Sequence, residues 1–315
     1  MIMVLTKIVH EFRGVFKTEN SRFVASVGLK VSGISLIITF AIYWFLFQVL
    51  RLNYAFFRAH GFPEVRDDSS FFDLVIVETL DSLPGLFVFH ICLFFIGSYV
   101  GWLMLRPFKT MGDYCENVLE NLNYAYKVEE FSSYTLFTRF SEFFFEYLRE
   151  SRRKKEILSN SIPPQYSKIH KPVIDYIFLL HFGLLLIIVS IVSAIFIIEN
   201  TGTVYASMVE LATKTLKDQA SVSKYFTEQM FIMDSIFKLT IVLLTFFYTL
   251  LGFHLYSKIS GASFAIFSTM RTYMKGNYSS RVHLVGYTHM REYTRKLNKY
   301  LDYVQKNFSN EQSKN

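Results

Sequence analysis

Three of the eight histidines, His90, His181 and His254, lie within or at the ends of long apolar stretches. A polar side chain in such surroundings can mark a relay or ligand site, and as often makes a simple interhelical hydrogen bond. The three show no metal-ligand spacing, and the apolar stretches hold no acid apart from Asp175 near an end. The chain has no Walker loop, dinucleotide fingerprint, zinc spacing or nucleophile elbow. The expectation is a non-enzymatic protein with no catalytic residue, no cofactor and no metal site. Cys92 and Cys115 are too few for a disulfide framework and read as unpaired thiols.

With little chemistry in its side chains, the chain is defined by the elements that carry them. Of its 315 residues, 51% are hydrophobic, 18% aromatic and only 19% charged, and the mean hydropathy is +0.27. A soluble domain of this size carries more charge. Four stretches are long and apolar enough for a membrane helix: 29–50, 83–105, 173–198 and 235–256. Segments 1–30, 106–172 and 257–315 contain five, eleven and ten Lys/Arg, while the loops 51–82 and 199–234 contain three each and more acids than that. By the charge rule, both termini and the middle segment face the cytoplasm. The net charge of +7 then reflects basic cytoplasmic loops, and nucleic acid is not an expected partner. Trp44 and Trp102 suit membrane anchoring, and Lys238 can snorkel from the fourth span.

The halves match. "NYAYKV" begins at Asn123 and "NYSSRV" at Asn277, so Val128 and Val282 fall in the same place 154 residues apart. The same shift lays the second span on the fourth. Span order, loop length and offset agree on an internal duplication. The expected fold is all-α: a short cytoplasmic N-terminal segment (1–28), a first transmembrane hairpin (29–105), a first cytoplasmic segment (106–156), a linker (157–172), a second hairpin (173–256), a second cytoplasmic segment (257–307) and a tail (308–315).

In the second cytoplasmic segment, a helix is expected from 262 to 275. Gly276-Asn277 ends it, Val282 and Leu284 alternate with polar neighbours, and a second helix begins near Thr288 as N-cap. Met290, Tyr293, Leu297, Tyr300 and Val304 are spaced 3, 4, 3, 4, which is the seam of a helix packing in parallel against another. The first segment keeps such a seam in Phe137, Phe140, Phe144 and Tyr147. "RESRRKKE" at 149–156 reads as a solvated linker or a lipid-headgroup contact, and the three prolines of 161–172 discourage a continuous helix there.

The second segment, about 45 residues directly after a span, resembles the HAMP domain of bacterial membrane receptors and sensor kinases. Gly276 matches the glycine ending that domain's first helix, Val282 and Leu284 its buried connector positions, and Asn298 a frequent asparagine of its second helix. Ala262 stands where the family has an opening proline, and Thr288-His289 where it has Asp-Glu. The first segment keeps the proline as Pro107 but has Leu122 for the glycine and Phe145 for the asparagine.

The resemblance implies a parallel four-helix bundle, made here either by one chain as a pseudo-dimer or by a homodimer. It also implies a bacterial inner membrane, with lipids and a membrane or cytoplasmic protein as partners. The seams would meet as Phe137, Phe140 and Phe144 against Met290, Tyr293 and Leu297. Because only "NFSNEQSKN" follows the second helix, a separate partner is expected to carry any output. The leading expectation is a signal-relay or sensor-adaptor protein. A structural subunit of a motor, secretion or transport machine comes second, and a channel or carrier third. The same helix–turn–helix order would also arise in an ordinary membrane-proximal hairpin.

Overall fold

The computed structural model describes residues 18–59, 68–126, 135–155, 157, 162–167, 175–215 and 219–308. Among them are six helices longer than one turn and no strand: α1 (Glu19–Ala59), α2 (Asp68–Glu120), α3 (Thr135–Lys154), α4 (Tyr176–Thr215), α5 (Gln219–Met274) and α6 (Arg291–Phe308). A single turn at Pro164–Ser167 and a 3-10 turn at Thr288–Met290 complete the order.

Four of these helices are long and apolar enough to cross a membrane: α1, α2, α4 and α5. They contain the four stretches read from hydropathy, apart from the first residues of the third. They are also far longer than those stretches, at 41, 53, 40 and 56 residues. At 1.5 Å per residue that is about 60–84 Å, against a hydrocarbon layer of about 30 Å. Each helix therefore continues well past what lipid alone requires. α2 passes through Pro84 and Pro107 without a break, so Pro107 lies inside a helix and opens none.

The described residues fall into two compact units. One unit comprises Gly28–Gly97 and Leu184–Leu251. Its helices bury one stripe each, for example Ile38, Ile42, Leu46 and Val49 of α1, and leave large apolar residues outward, with Ile37 70%, Phe40 73% and Phe231 74% exposed. Such faces are what a hydrocarbon solvent covers. Gly97 of α2 lies directly on Gly28 and Val31 of α1. At the loop end, Leu46, Val49, Leu50, Val204, Met208, Phe226 and Met233 form a core.

Beside this core runs a polar network that hydropathy does not reveal. The Asn53 amide carbonyl accepts from Tyr225 Oη (2.8 Å) and Gln229 Nε2 (2.5 Å), its Nδ2 donates to Met208 Sδ (3.0 Å), and Tyr205 Oη donates to the Gln229 carbonyl (3.1 Å). Asn53 is fully buried, so these bonds between α1, α4 and α5 replace the water it would otherwise need.

The other unit comprises the chain up to Val27, Ser98–Gly183 and everything from Gly252 on. It is built from the C-terminal part of α2, α3, the C-terminal part of α5, and α6. The α3 and α6 sequences are strongly amphipathic, with the Phe and Met/Tyr/Leu seams on one face, so each can bury that face only against another element. Within this unit Gly101 of α2 lies against Val24 and Val27 of α1. Gly97 and Gly101 together make a Gly-x3-Gly spacing, the small-residue pattern that lets two membrane helices touch backbone to backbone.

Candidate functional site

The bundle unit holds almost every residue singled out from the sequence. Phe137, Phe140, Phe144, Tyr147, Met290, Tyr293, Leu297, Tyr300 and Val304 are all buried, as is Val282. Leu284 is half-buried, and Val128 lies outside the described residues. The nearest rings to the Phe seam come from the long helices: Phe108 to Phe137 at 4.7 Å, Phe267 to Phe137 and Phe140 at 5.6 and 4.8 Å, and Tyr273 to Phe144 at 6.2 Å. α3 and α6 also pack directly on each other, through Phe145 and Tyr300. Tyr293 lies against Gly112 of α2, close enough that a Cβ there would be 3.0 Å from its ring.

These contacts fix the helix directions. Along α2 and α3 the ring pairs run Phe108 with Phe137, then Tyr114 with Phe145. Along α5 and α3 they run Phe267 with Phe140, then Tyr273 with Phe144. Along α2 and α6, Gly112 meets Tyr293 before Glu116 meets Lys296. Both numbers rise together in every pair, so all four helices point the same way. A hairpin would have made α2 and α3 antiparallel. Here α3 begins at the level of Phe108, twelve residues before α2 ends, and Tyr287 at the approach to α6 reaches back to Gly261. The segment from Lys275 to Tyr287 therefore returns along α5.

The segment from Lys275 to Tyr287 shows how a chain is held in such a return. Asn277 N–H donates to Thr272 O and Gly276 N–H to Tyr273 O, closing α5 in a Schellman turn that puts Gly276 at φ +101°. Only glycine takes that φ without strain. Asn298 of α6 then grips the strand-like run at one residue. Val282 N–H donates to Asn298 Oδ1 (2.9 Å) and Asn298 Nδ2 donates to Val282 O (3.0 Å), so one amide satisfies both backbone groups. Arg281 adds bonds to Asp302 (2.7 Å), Gln305 (2.5 Å) and the carbonyls of Tyr278 and Ser280. Thr288 differs from the expected N-cap. It opens a 3-10 turn after Tyr287, and no side chain caps that turn. α6 starts at Arg291, because the tighter turn is needed to leave the return path.

α2 ends differently. Asn121 N–H closes on Asn117 O, and its side chain accepts from Asn123 N–H (3.1 Å), so Leu122 sits in a turn made by asparagine with no left-handed glycine. Phe145 packs its ring on Tyr114 (4.4 Å) and Tyr126 (5.0 Å). Apolar ring packing thus does in α3 what an amide does in α6.

One part of the reading from sequence needs correction: "RESRRK" is helix and not linker, although Glu150, Arg153 and Lys154 are exposed as a solvated run would be. Residues through Lys154 belong to α3, Ser151 is buried, and Lys155 closes the helix at φ +55°. The described part of the linker, 162–167, lies against the bundle: Tyr166 is buried on Phe140 (5.0 Å) and its carbonyl accepts from Arg271, while Ile157 O accepts from Tyr278.

Asp175, noted in the sequence only as an acid near a span, is a double cap. Its carboxylate accepts from Phe178 N–H of α4 (3.1 Å) and Leu136 N–H of α3 (2.8 Å). Asp175→Ala orphans both donors, and loss of a cap alone costs about 1 kcal/mol. The expected outcome is a thermal unfolding temperature lowered by more than a single-cap loss, while Asp175→Asn recovers part of it. Equal stability of Asp175→Ala and the parent would exclude this role. The histidines carry no cluster: His90 and His181 bond to carbonyls of their own helices, Leu86 and Ile177. Among the described residues no group of three or more His, Cys, Asp or Glu could hold a metal.

Charge is concentrated at Lys296, which reaches Glu116 (2.7 Å), Asp113 (3.6 Å) and Glu292 (3.7 Å). Burial alone would lower the Lys296 ammonium, but the Glu116 bond and the three carboxylates outweigh it and raise it. Burial likewise pushes the hydroxyls of Tyr147, Tyr293 and Tyr300 up. For all four groups the protonated form is favoured in the folded state. Their contributions are therefore complete below the unfolded values of about 10 for Tyr and 10.4 for Lys, and are lost as pH rises through the higher folded values. Thermal unfolding in mild detergent should be steady from neutral pH to about pH 9 and fall above about pH 10. A midpoint that rises above pH 10 would contradict the assignment.

Comparison with known proteins adds no relative: no family model, no curated protein and no solved structure matches this chain.

Proposed function

We propose that the chain is a non-enzymatic signal-relay or sensor-adaptor protein of the bacterial inner membrane, with both termini cytoplasmic. In this reading it arose by internal duplication, and its two halves are HAMP-like units packed as a pseudo-dimer within one chain. The observation that carries it is the direction of the helices. Consecutive helices that run parallel, with the described connector between α5 and α6 returning along α5, distinguish this architecture from a hairpin. Gly276, Val282 and Asn298 support it: Gly276 ends the first helix and Val282 is buried in the connector, the places the resemblance gives them, and Asn298 of the second helix holds Val282 by both backbone groups. α2 and α5 each continue from an apolar stretch into the bundle without a break, so a shift or rotation in the membrane would arrive there as a change in packing.

The Phe145 contacts favour a second reading, a structural subunit of a larger membrane machine, because Phe145 packs on the rings of Tyr114 and Tyr126 where the second segment has the Asn298 amide. One experiment separates the two. The tagged protein is purified in mild detergent from its native membrane, and co-purifying proteins are identified by mass spectrometry, for the parent and for Asn298→Leu. Recovery of a kinase, cyclase or chemoreceptor component that changes with Asn298→Leu supports the relay. Stoichiometric motor, secretion or transport subunits that do not respond to it would sink the relay in favour of the structural reading.

A further inference from the structure

We propose that the end of the bundle where α2, α3 and α6 terminate is a binding site for a phosphate-bearing small anion. An open cleft of about 790 Å³ lies there. Its lining includes Arg149, Arg152, Arg153 and Lys155, together with Asn123 and Tyr303, and among the described residues it includes no carboxylate. The volume is within the usual range for small-molecule sites.

Arg152 is the decisive residue. All three of its guanidinium nitrogens are removed from solvent, and none has a hydrogen-bond partner among the described residues. Among the described residues its guanidinium carbon lies 5.9 Å from the Tyr300 ring. A cation–π contact of that length is weak compensation for desolvating a guanidinium, whose donors are strongly satisfied by a carboxylate or phosphate fork. Arg149 does have a partner, Glu146 at 2.6 Å, but that pair is exposed.

A purely structural role for the cations is to offset the helix C-termini that meet here. Each C-terminus carries about −0.5 charge, so three account for about −1.5, half of the three positive charges left once Arg149 is paired with Glu146. A surplus remains for a ligand. The cleft is lined on its other side by Tyr303, Asn307, Phe308 and Leu122, which suits a ligand with a ring as well as phosphates.

A lipid headgroup could offer the same phosphate. Distance along α2 favours a soluble source. Glu120 lies 15 residues past Leu105, about 22 Å of helix, whereas headgroups extend only about 5–8 Å beyond the hydrocarbon.

The test uses the full chain in phosphatidylcholine nanodiscs, titrated with inorganic tripolyphosphate and with ATP by calorimetry. A parallel arm compares thermal unfolding in phosphatidylcholine discs with that in discs containing phosphatidylglycerol. The expected result is binding of one of the soluble probes in the sub-millimolar range, weakened at least about tenfold by Arg152→Gln and strongly by added salt. The rim variant Arg153→Gln/Lys155→Gln changes only exposed cations, so it reads the site even where Arg152→Gln folds poorly. A thermal shift with phosphatidylglycerol that depends on these residues, without soluble binding, keeps the anion site and names lipid as its source. No probe binding and no lipid shift, or binding indifferent to both variants, overturns the proposal.

Discussion

Gly97→Val is expected to lower stability sharply, while Gly33→Ala raises it. A Cβ on Gly97 would lie 2.8 Å from Val31 Cβ and 2.9 Å from Gly28 Cα. The second contact is with backbone, so no side-chain rotation relieves it, and the two helices must separate. Overpacking of this kind costs about 1–3 kcal/mol, and separation also forfeits the dispersion contacts that hold membrane helices together. A Cβ on Gly33 of α1 meets nothing within 4 Å. There only the helix preference of alanine acts, a gain of up to about 1 kcal/mol. Thermal unfolding of the two variants in the same detergent checks both signs. A Gly97→Val protein as stable as the parent would show that the close helix crossing does not hold.

The second large effect is Phe140→Ala. The ring is fully buried, 4.8 Å from Phe267 and 5.0 Å from Tyr166. Removing a buried phenyl ring leaves a cavity and costs about 3–5 kcal/mol. Phe140 joins three parts of the bundle: α3, α5 and the docked turn at Tyr166. Its loss should therefore also release that turn, seen as faster proteolysis after the arginines and lysines of 149–155. Phe143→Ala is the control. It is only partly buried and touches Tyr166 at 6.1 Å, so it should cost distinctly less. Equal losses for the two would mean that the seam face read from the spacing is not the face that bears the packing.

Some of this architecture is visible before any coordinates. The four apolar stretches are long enough for lipid to leave no alternative to helix, because an unpaired backbone amide in hydrocarbon is too costly. The seams at 137–147 and 290–304 are equally legible, because buried residues of a helix must recur every three or four positions. Gly276 can be read as a helix terminator for a local reason, its freedom at positive φ.

Other features have no local signature. Gly97 and Gly101 look like any glycines of an apolar run until α1 is seen lying on them. Asn53 sits just past a span, where an asparagine is unremarked, and its four-residue network joins positions more than 150 apart. Asp175 acquires its second helix to cap only because α3 starts beside it. Arg152 lies in a basic run that reads as solvated, and burial of its guanidinium depends on where three helices end. The sequence by itself determined that the chain is helical, that four helices suit a membrane, and which face of each short helix is apolar, because those follow from hydropathy and period along one segment. Only the tertiary structure decided which helices pack on which, which glycines are crossings and where polar groups find partners, because these depend on contacts between segments that no local pattern encodes.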